Sequence, residues 1–551
     1  MHQGDFAVSV YARRSVIVGA GAVAAGLAVP QVAQAVDPGS PPPSGKVENS
    51  PSVVVPSSDP RYAELQLRNW NKLYKANPEY FRIVRTPYQV NRAVADAYAA
   101  GKRIAVRSGG HGLAGLVEDP ANQVVIDFSE MRSVTYDDTM EAFCIEPGAT
   151  LGQIYRNLDY GWGVTLPAGT CPAVGAGGHI IGGGVGALSR QHGLVSDHLY
   201  AVEVNHVNAA GEVKTVVATR DAADANRDLW WAFAGGGGGN FGVVSRFWLR
   251  SPNVTSVKPQ DQLPKRPQAI MTGRAIWNWA DMDQVSFIQL LKNFGTWHEQ
   301  YSAPGQRGNQ LYASLIAPRK EAGKIFVSAQ VDPADPANET LLNDFMTALT
   351  ANVTPRATLI NTGRQPWQYT TVNAADTAVA MGVTGPPRSR TKGALLRKRY
   401  TDEQAALIYS KLTSTTYSHT ASSFSLGSFG GQINATAENA SASVHRTAIM
   451  LASVFSCWDV PADDAKHQTW NREFYRDLYA DTGGVPVPSD RYDGCFVNWP
   501  DPDLADPAWN TSGVPWTTLY YKGNYAKLQQ VKAKYDPKDI FRHKLSVQLP
   551  A

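Results

Sequence analysis

Three dense glycine clusters constrain this chain more than any other feature. They are Arg107-Ser108-Gly109-Gly110-His111-Gly112, then Val174-Gly175-Ala176-Gly177-Gly178-His179-Ile180-Ile181-Gly182-Gly183-Gly184-Val185-Gly186, and finally Gly235 to Gly239 followed by Asn240-Phe241-Gly242. Glycine tolerates positive φ and lets backbone N–H groups approach an anion, so such loops make concave cradles for phosphate. None carries the lysine of a GxxxxGK[ST] P-loop, and none has the strand–GxGxxG–helix setting of a Rossmann unit. Together they point to a different dinucleotide cradle, whereas any one alone reads equally well as a tight turn in a β-rich domain.

The surrounding pattern is α+β. An extended Ile83-Val84-Arg85 precedes a helical stretch from Val90 and the strand-like Arg103 to Ser108; β runs follow at Val124, Ser133, Ala142 and Tyr200, with a helix after Thr150. Glycine density falls after Ser251 and longer helical and strand patterns alternate, which suits a second domain in a chain of 551 residues. The expected organisation is a signal at 1–35, a flexible Pro/Ser-rich leader at 36–60, a cofactor domain at 61–251, a substrate domain at 252–507 and a C-terminal segment at 508–551, helical until Asp536-Pro537.

Arg13-Arg14, a short apolar stretch from Ser15 to Val29, Pro30 and the small-residue site Ala33-Gln34-Ala35 read as a twin-arginine export signal. The mature chain is therefore expected outside the cell, without a membrane span. A net charge of +3 and the lack of a long Lys/Arg run argue against a nucleic-acid partner. Cys144, Cys171, Cys457 and Cys495 form no CxxC pair, so no metal site is expected.

These motifs resemble the berberine-bridge-enzyme-like FAD oxidases of the vanillyl-alcohol-oxidase superfamily, in particular the bacterial members with doubly attached flavin, over the chain from about Pro60 onward. Arg107 to His111 resembles the loop whose histidine bonds the flavin 8α-methyl. Gly169-Thr170-Cys171-Pro172 and the second cluster resemble the segment whose cysteine bonds flavin C6. Asp228-Leu229-Trp230-Trp231 with the third cluster, Asn524-Tyr525 and Asp536-Pro537 match as well. The resemblance implies a two-domain fold in which the substrate domain has an antiparallel sheet flanked by helices. It also implies FAD held covalently at His111 and Cys171, with Arg107, Ser108, Gly109, Gly110, Gly112, Thr170, Gly175, Gly177, Gly178, Gly182, Gly242, Val243 and Asn524 around it. Bottom-up, a thiolate suits attack on an electron-poor ring carbon and a neutral imidazole suits a tautomerised methyl. His179 reads as a position of close backbone approach, not as a catalyst.

The chain departs from the family where alcohol-oxidising members carry tyrosines. Val185 stands in the family's GGGYG, Phe429 precedes Gly430-Gly431, and the common YxNYxD reads Phe496-Val497-Asn498-Trp499-Pro500-Asp501. None of Val185, Phe429, Phe496 and Trp499 can take a proton, and their apolar character suits a flat or greasy substrate. The base is then Tyr492, Tyr417 or His445, or the reaction needs no strong protein base. The expected activity is two-electron oxidation of a carbinol or activated C–H in a secondary metabolite, such as a glycosylated polyketide, with dioxygen reduced to hydrogen peroxide. An oxidative cyclase or dehydrogenase and a flavoprotein that only sequesters its ligand are the rival readings.

Overall fold

Residues 50–374 and 377–551 are described by the computed structural model; the expected export signal and most of the expected leader lie outside them. The last part of the expected leader is structured. β1 (Val53–Pro56) pairs antiparallel with β2 (Tyr80–Ile83), because Val55 is an inward apolar position and is fully buried. With β3 (Ile104–Arg107) and β4 (Val124–Asp127) they make a sheet in the order β1-β2-β4-β3, in which β4 runs parallel to both β2 and β3. The helix Pro87–Ala99 starts on the Thr86 cap with Pro87 in its first turn, and buries Val90, Ala93, Val94 and Ala97 at i, i+3, i+4 and i+7.

The parallel register sets Arg107 beside Asp127, and this corrects one expectation. The Arg107 guanidinium is not turned to the glycine loop. Its Nε donates to Asp127 Oδ2 at 2.7 Å and its Nη1 to the Leu65 carbonyl, over the ring of Phe81. Arg68 donates to Asp127 Oδ1 at 2.6 Å. Burial alone would raise the Asp127 pKa, but Arg107, Arg68 and the Ser129 N–H outweigh it and hold the carboxyl below its ordinary 3.8. A depressed carboxylate contributes stability above its unfolded value and loses it as pH falls through the folded one. Asp127→Ala is therefore expected to cost about 3–5 kcal/mol at pH 7, two cations being left under the sheet, and the gap from wild type should narrow below pH 3.8. Thermal unfolding at pH 7 and pH 3 checks both.

A second sheet, β5-β6-β9-β7-β8, consists of β5 (Val134–Asp137), β6 (Ala142–Ile145), β7 (Leu199–Val207), β8 (Val213–Thr219) and β9 (Val243–Leu249). The third is an eight-stranded sheet whose pairings are antiparallel, in the order β13-β10-β12-β11-β15-β16-β14-β17. Its strands are β10 (Ala269–Asn278), β11 (Tyr312–Pro318), β12 (Lys324–Val331), β13 (Thr358–Pro366), β14 (Arg388–Leu396), β15 (Ser422–Ser428), β16 (Met450–Trp458) and β17 (Tyr492–Gly494). Period-two alternation gives this sheet two unlike faces. Ala275, Ala313, Leu315, Val327, Phe424 and Val454 point to the side covered by helices such as Ala337–Thr350 and Asp464–Leu478. The opposite face carries Ser314, Ser328, Ser425, Gly427, Leu451 and Ser453. The fold is thus α+β, with an antiparallel sheet flanked by helices in its second half.

The C-terminal segment returns to the third glycine cluster. Tyr521 and His543 bond the carbonyls of Gly236 and Gly238, while Lys532 Nζ bonds that of Asn240 and is paired with Asp536. Among the described residues no helix is long and apolar enough to cross a membrane.

Candidate functional site

The three glycine clusters converge. Gly109 and Gly175 lie back to back so closely that a β-carbon on Gly175 would sit 2.2 Å from Gly109 N, and one on Gly109 would sit 2.4 Å from Gly175 N. Ser108 Oγ accepts from Gly177 N–H and donates to the Pro147 carbonyl, fastening the first cluster to the second. The third joins them because the N–H groups of Gly235 and Gly237 both donate to the Ile181 carbonyl. His111 and Cys171 are thereby carried on two adjoining loops, both half-buried, with Thr170 exposed beside the cysteine. Gly112 and Gly178 face open space, where a β-carbon would meet nothing within 4 Å.

The His111 loop and the Cys171 loop each have their own brace, and the sequence reading found neither. Segment 68–74 straps the His111 loop to the third sheet. Trp70 N–H donates to the Gly110 carbonyl, the Trp70 ring stacks on His111 with centroids 5.9 Å apart, and Asn71 exchanges hydrogen bonds with both backbone groups of Ser389 on β14. On the other loop, Gly169 is gripped from both sides: its N–H donates to His179 Nε2 at 3.1 Å and its carbonyl accepts from the Tyr155 hydroxyl at 2.7 Å. Burial lowers the His179 pKa to about 4, so at neutral pH Nε2 remains an acceptor.

Gly182, Gly235, Leu194, Phe429, Ser443, His445, Phe496 and Tyr520 line a narrow cavity beside these loops. Of the four apolar substitutions, Phe429 and Phe496 line it, while Val185 and Trp499 pack behind them in one hydrophobic cluster with Leu194, Leu395 and Leu451. Asn498, from the same motif, donates to the Gly178 carbonyl and accepts from Gly184 N–H, which locks Phe496 and Trp499 against the second cluster. Arg190 is a further unread anchor. Its buried guanidinium bonds the carbonyls of Phe429, Tyr301 and Gly308, and burial lowers its pKa to about 10.

The expected bases are not where a base is needed. Tyr417 lies under the helices, stacked on Trp470 and bonded to Ser422 Oγ and His467 Nδ1. Tyr492 is likewise turned to the helix side, where its hydroxyl accepts from Gln404. His445 does line the cavity, but both ring nitrogens face protein: Nε2 donates to the Tyr520 carbonyl, and Nδ1 lies 3.6 Å from Asp493 Oδ2. Burial would raise the Asp493 pKa; the neighbouring His445 and Lys522 push it well below the usual carboxylate range instead. Three cofactor expectations are also corrected. Val243 is buried in the apolar cluster under the first sheet, with Gly242 pressed on Val204, because this dipeptide starts β9. Asn524 gives its amide to the carbonyls of Glu438 and Ser441 and so braces the loop leading to His445.

Comparison with known proteins decides the family. An "FAD binding domain" model matches residues 78–216, and a "Berberine and berberine like" model matches residues 495–548. The chain is 46% identical over 499 residues to the aclacinomycin-N/aclacinomycin-A oxidase of Streptomyces galilaeus, covering 90% of each protein. It belongs to the berberine-bridge-like FAD-linked oxidoreductases. The crystal structure of aclacinomycin oxidoreductase matches with a TM-score of 0.87 at 45% identity, over 91% of this chain and 100% of that one. A glycopeptide hexose oxidase complexed with teicoplanin matches at 0.86 and 42%, over 91% and 99%. The residues present fit the cofactor of a berberine-bridge-like enzyme: the loops leave backbone exposed at Gly112 and Gly178, and two adjoining loops carry one imidazole and one thiol.

Proposed function

We propose that the protein is an exported oxidase with doubly attached FAD that takes two electrons from a carbinol of a glycosylated polyketide or a similarly bulky glycoside. The observation that carries this reading is the joining of the His111 and Cys171 loops through Gly109 and Gly175, beside a cavity walled by Phe429, Phe496 and Leu194. FAD, when bound, supplies the acceptor for the substrate's hydride and is reoxidised by dioxygen. The chain's own residues do the rest. His111 and Cys171 hold the cofactor in one plane, so it is retained outside the cell. Trp70, Asn71, His179 and Tyr155 fix the two loops, and the apolar wall excludes water from the reacting carbon. The carbohydrate-oxidising and natural-product-oxidising relatives support the substrate class.

Anaerobic mixing with aclacinomycin A, hexoses and related carbinols tests the reading. The yellow flavin colour is expected to bleach, then return in air with one hydrogen peroxide per ketone or lactone formed. No bleaching would point to sequestration, slow recolouring to a dehydrogenase, and a new ring or alkene without a carbonyl to a cyclase. Export is tested separately: Arg13→Lys with Arg14→Lys is expected to abolish secretion of folded, flavin-loaded enzyme, and unchanged secretion would remove the twin-arginine assignment.

A further inference from the structure

The oxidation needs a group to receive the carbinol proton, and the aromatic residues at the family's tyrosine positions cannot do so. The third sheet offers another phenol. Tyr312 opens β11, and the pairing of Ser314 with Gly427, continued by two residues along each strand, sets Tyr312 beside Phe429. Alternation places it on the open face, since its neighbours Ala313 and Leu315 are fully buried on the helix side. Its hydroxyl lies over Gly427, 3.8 Å from where that residue's β-carbon would be. Gly427 is itself paired with Leu451, a member of the apolar cluster that includes Phe429 and Phe496. Any larger residue at 427 would fill the space the hydroxyl reaches into.

Among the described residues this hydroxyl meets no hydrogen-bond partner, and Tyr312 is half-buried. The tyrosine that lines the cavity is committed: Tyr520 Oη accepts from Asp501 N–H at 2.9 Å and reaches the Trp499 carbonyl. Arg190 makes the placement of Tyr312 rigid. One guanidinium bonds the Phe429 carbonyl at 2.6 Å and also the carbonyl of Gly308 and the side chain of Asn309, just before β11.

We propose that Tyr312 is the catalytic residue that receives the carbinol proton, supplying from the neighbouring strand the phenol that Phe429 lacks. This rests on the oxidase reading above. As the carbinol carbon gives hydride to FAD, its O–H proton passes to Tyr312 Oη and the proton already on Oη passes to solvent over the open face. The alcohol becomes a carbonyl, FAD gains the two electrons, and dioxygen later takes them with two hydrogens as hydrogen peroxide. Burial raises the Tyr312 pKa, so the resting group is a neutral phenol and its role is a relay.

The test is stopped-flow bleaching with the carbinol that reduces the wild type fastest in the screen above. Tyr312→Phe is expected to lower the limiting bleaching rate by roughly 10²–10⁴-fold, with flavin content and substrate dissociation constant unchanged. Phe429→Tyr added to that variant is expected to restore much of the rate by returning the hydroxyl from the adjacent strand. A single variant as fast as wild type, or a double variant no faster than the single, overturns the assignment while leaving the oxidase reading intact. A wild type that none of the carbinols bleaches overturns both.

Discussion

Gly175→Ala is expected to yield a protein that takes up almost no flavin and unfolds at a clearly lower temperature. The new β-carbon would sit 2.2 Å from Gly109 N and 2.3 Å from Ser108 Oγ, distances that no rotamer relieves because one partner is backbone. The His111 and Cys171 loops must move apart, and the Ser108 bonds to Gly177 and Pro147 and the Thr150–Gly175 bridge go with them. Overpacking of this kind costs about 1–3 kcal/mol in a deformable core, and here the cost should reach or exceed the top of that range. Gly178→Ala is the contrasting variant. Its β-carbon meets no protein atom, so the unfolding temperature should hold while flavin uptake falls if FAD occupies the adjacent space. The ratio of flavin absorbance to protein, read with the unfolding midpoint for both variants, separates damage to the fold from damage to the cradle.

Asp501→Ala should be among the most destabilising single changes in the second half of the chain. Asp501 Oδ1 accepts from Arg390 at 2.8 Å and Oδ2 pairs with Lys392, all three being almost fully buried. Asp503 completes the group, bonding Lys392 at 2.8 Å and Arg472 at 2.9 Å. Two carboxylates balance three cations here. Removing one leaves Arg390 and Lys392 leaning on Asp503 alone, and breaking a buried pair from one side typically costs about 3–5 kcal/mol. The consequence reaches the cavity, because Lys392 lies on β14 next to Gly393, against which Trp499 packs. Asp501→Asn keeps the shape and removes the charge, so a similar loss in both variants would assign the effect to the ion pair. A midpoint within a degree or two of wild type for Asp501→Ala would contradict this account.

What the sequence revealed and what it hid divide along a physical line. The glycine clusters were legible because their function is local: positive φ and close backbone approach are properties of the residues themselves, and Gly110, Gly183, Gly184 and Gly235 all adopt positive φ. The helix at Thr150 was legible for the same reason, since its Thr150–Gln153 capping box is a local pattern. The four apolar replacements were visible as departures from a motif, and the fold gathers them. The bases were misjudged because which face a tyrosine presents depends on strand parity and on partners far along the chain. Tyr417 and Tyr492 sit near motif residues in sequence but face the helices, while Tyr312 has no motif and becomes visible only through its alignment with Gly427 and Phe429. Arg107 was read as a cradle residue from its place in a motif, yet the parallel pairing with β4 assigns it to Asp127. The braces Trp70, Asn71 and Arg190 were hidden similarly, each acting across a long stretch of chain.

Double covalent attachment is the claim on which the rest depends, and it can be weighed directly. The intact mass of purified, acid-denatured enzyme should exceed that of the polypeptide by one FAD. The increment should persist in His111→Ala and in Cys171→Ala, each retaining one bond, and disappear only when both are replaced. Wild-type protein that sheds all its flavin on denaturation would contradict the account, leaving His111 and Cys171 as ordinary residues of two adjoining loops.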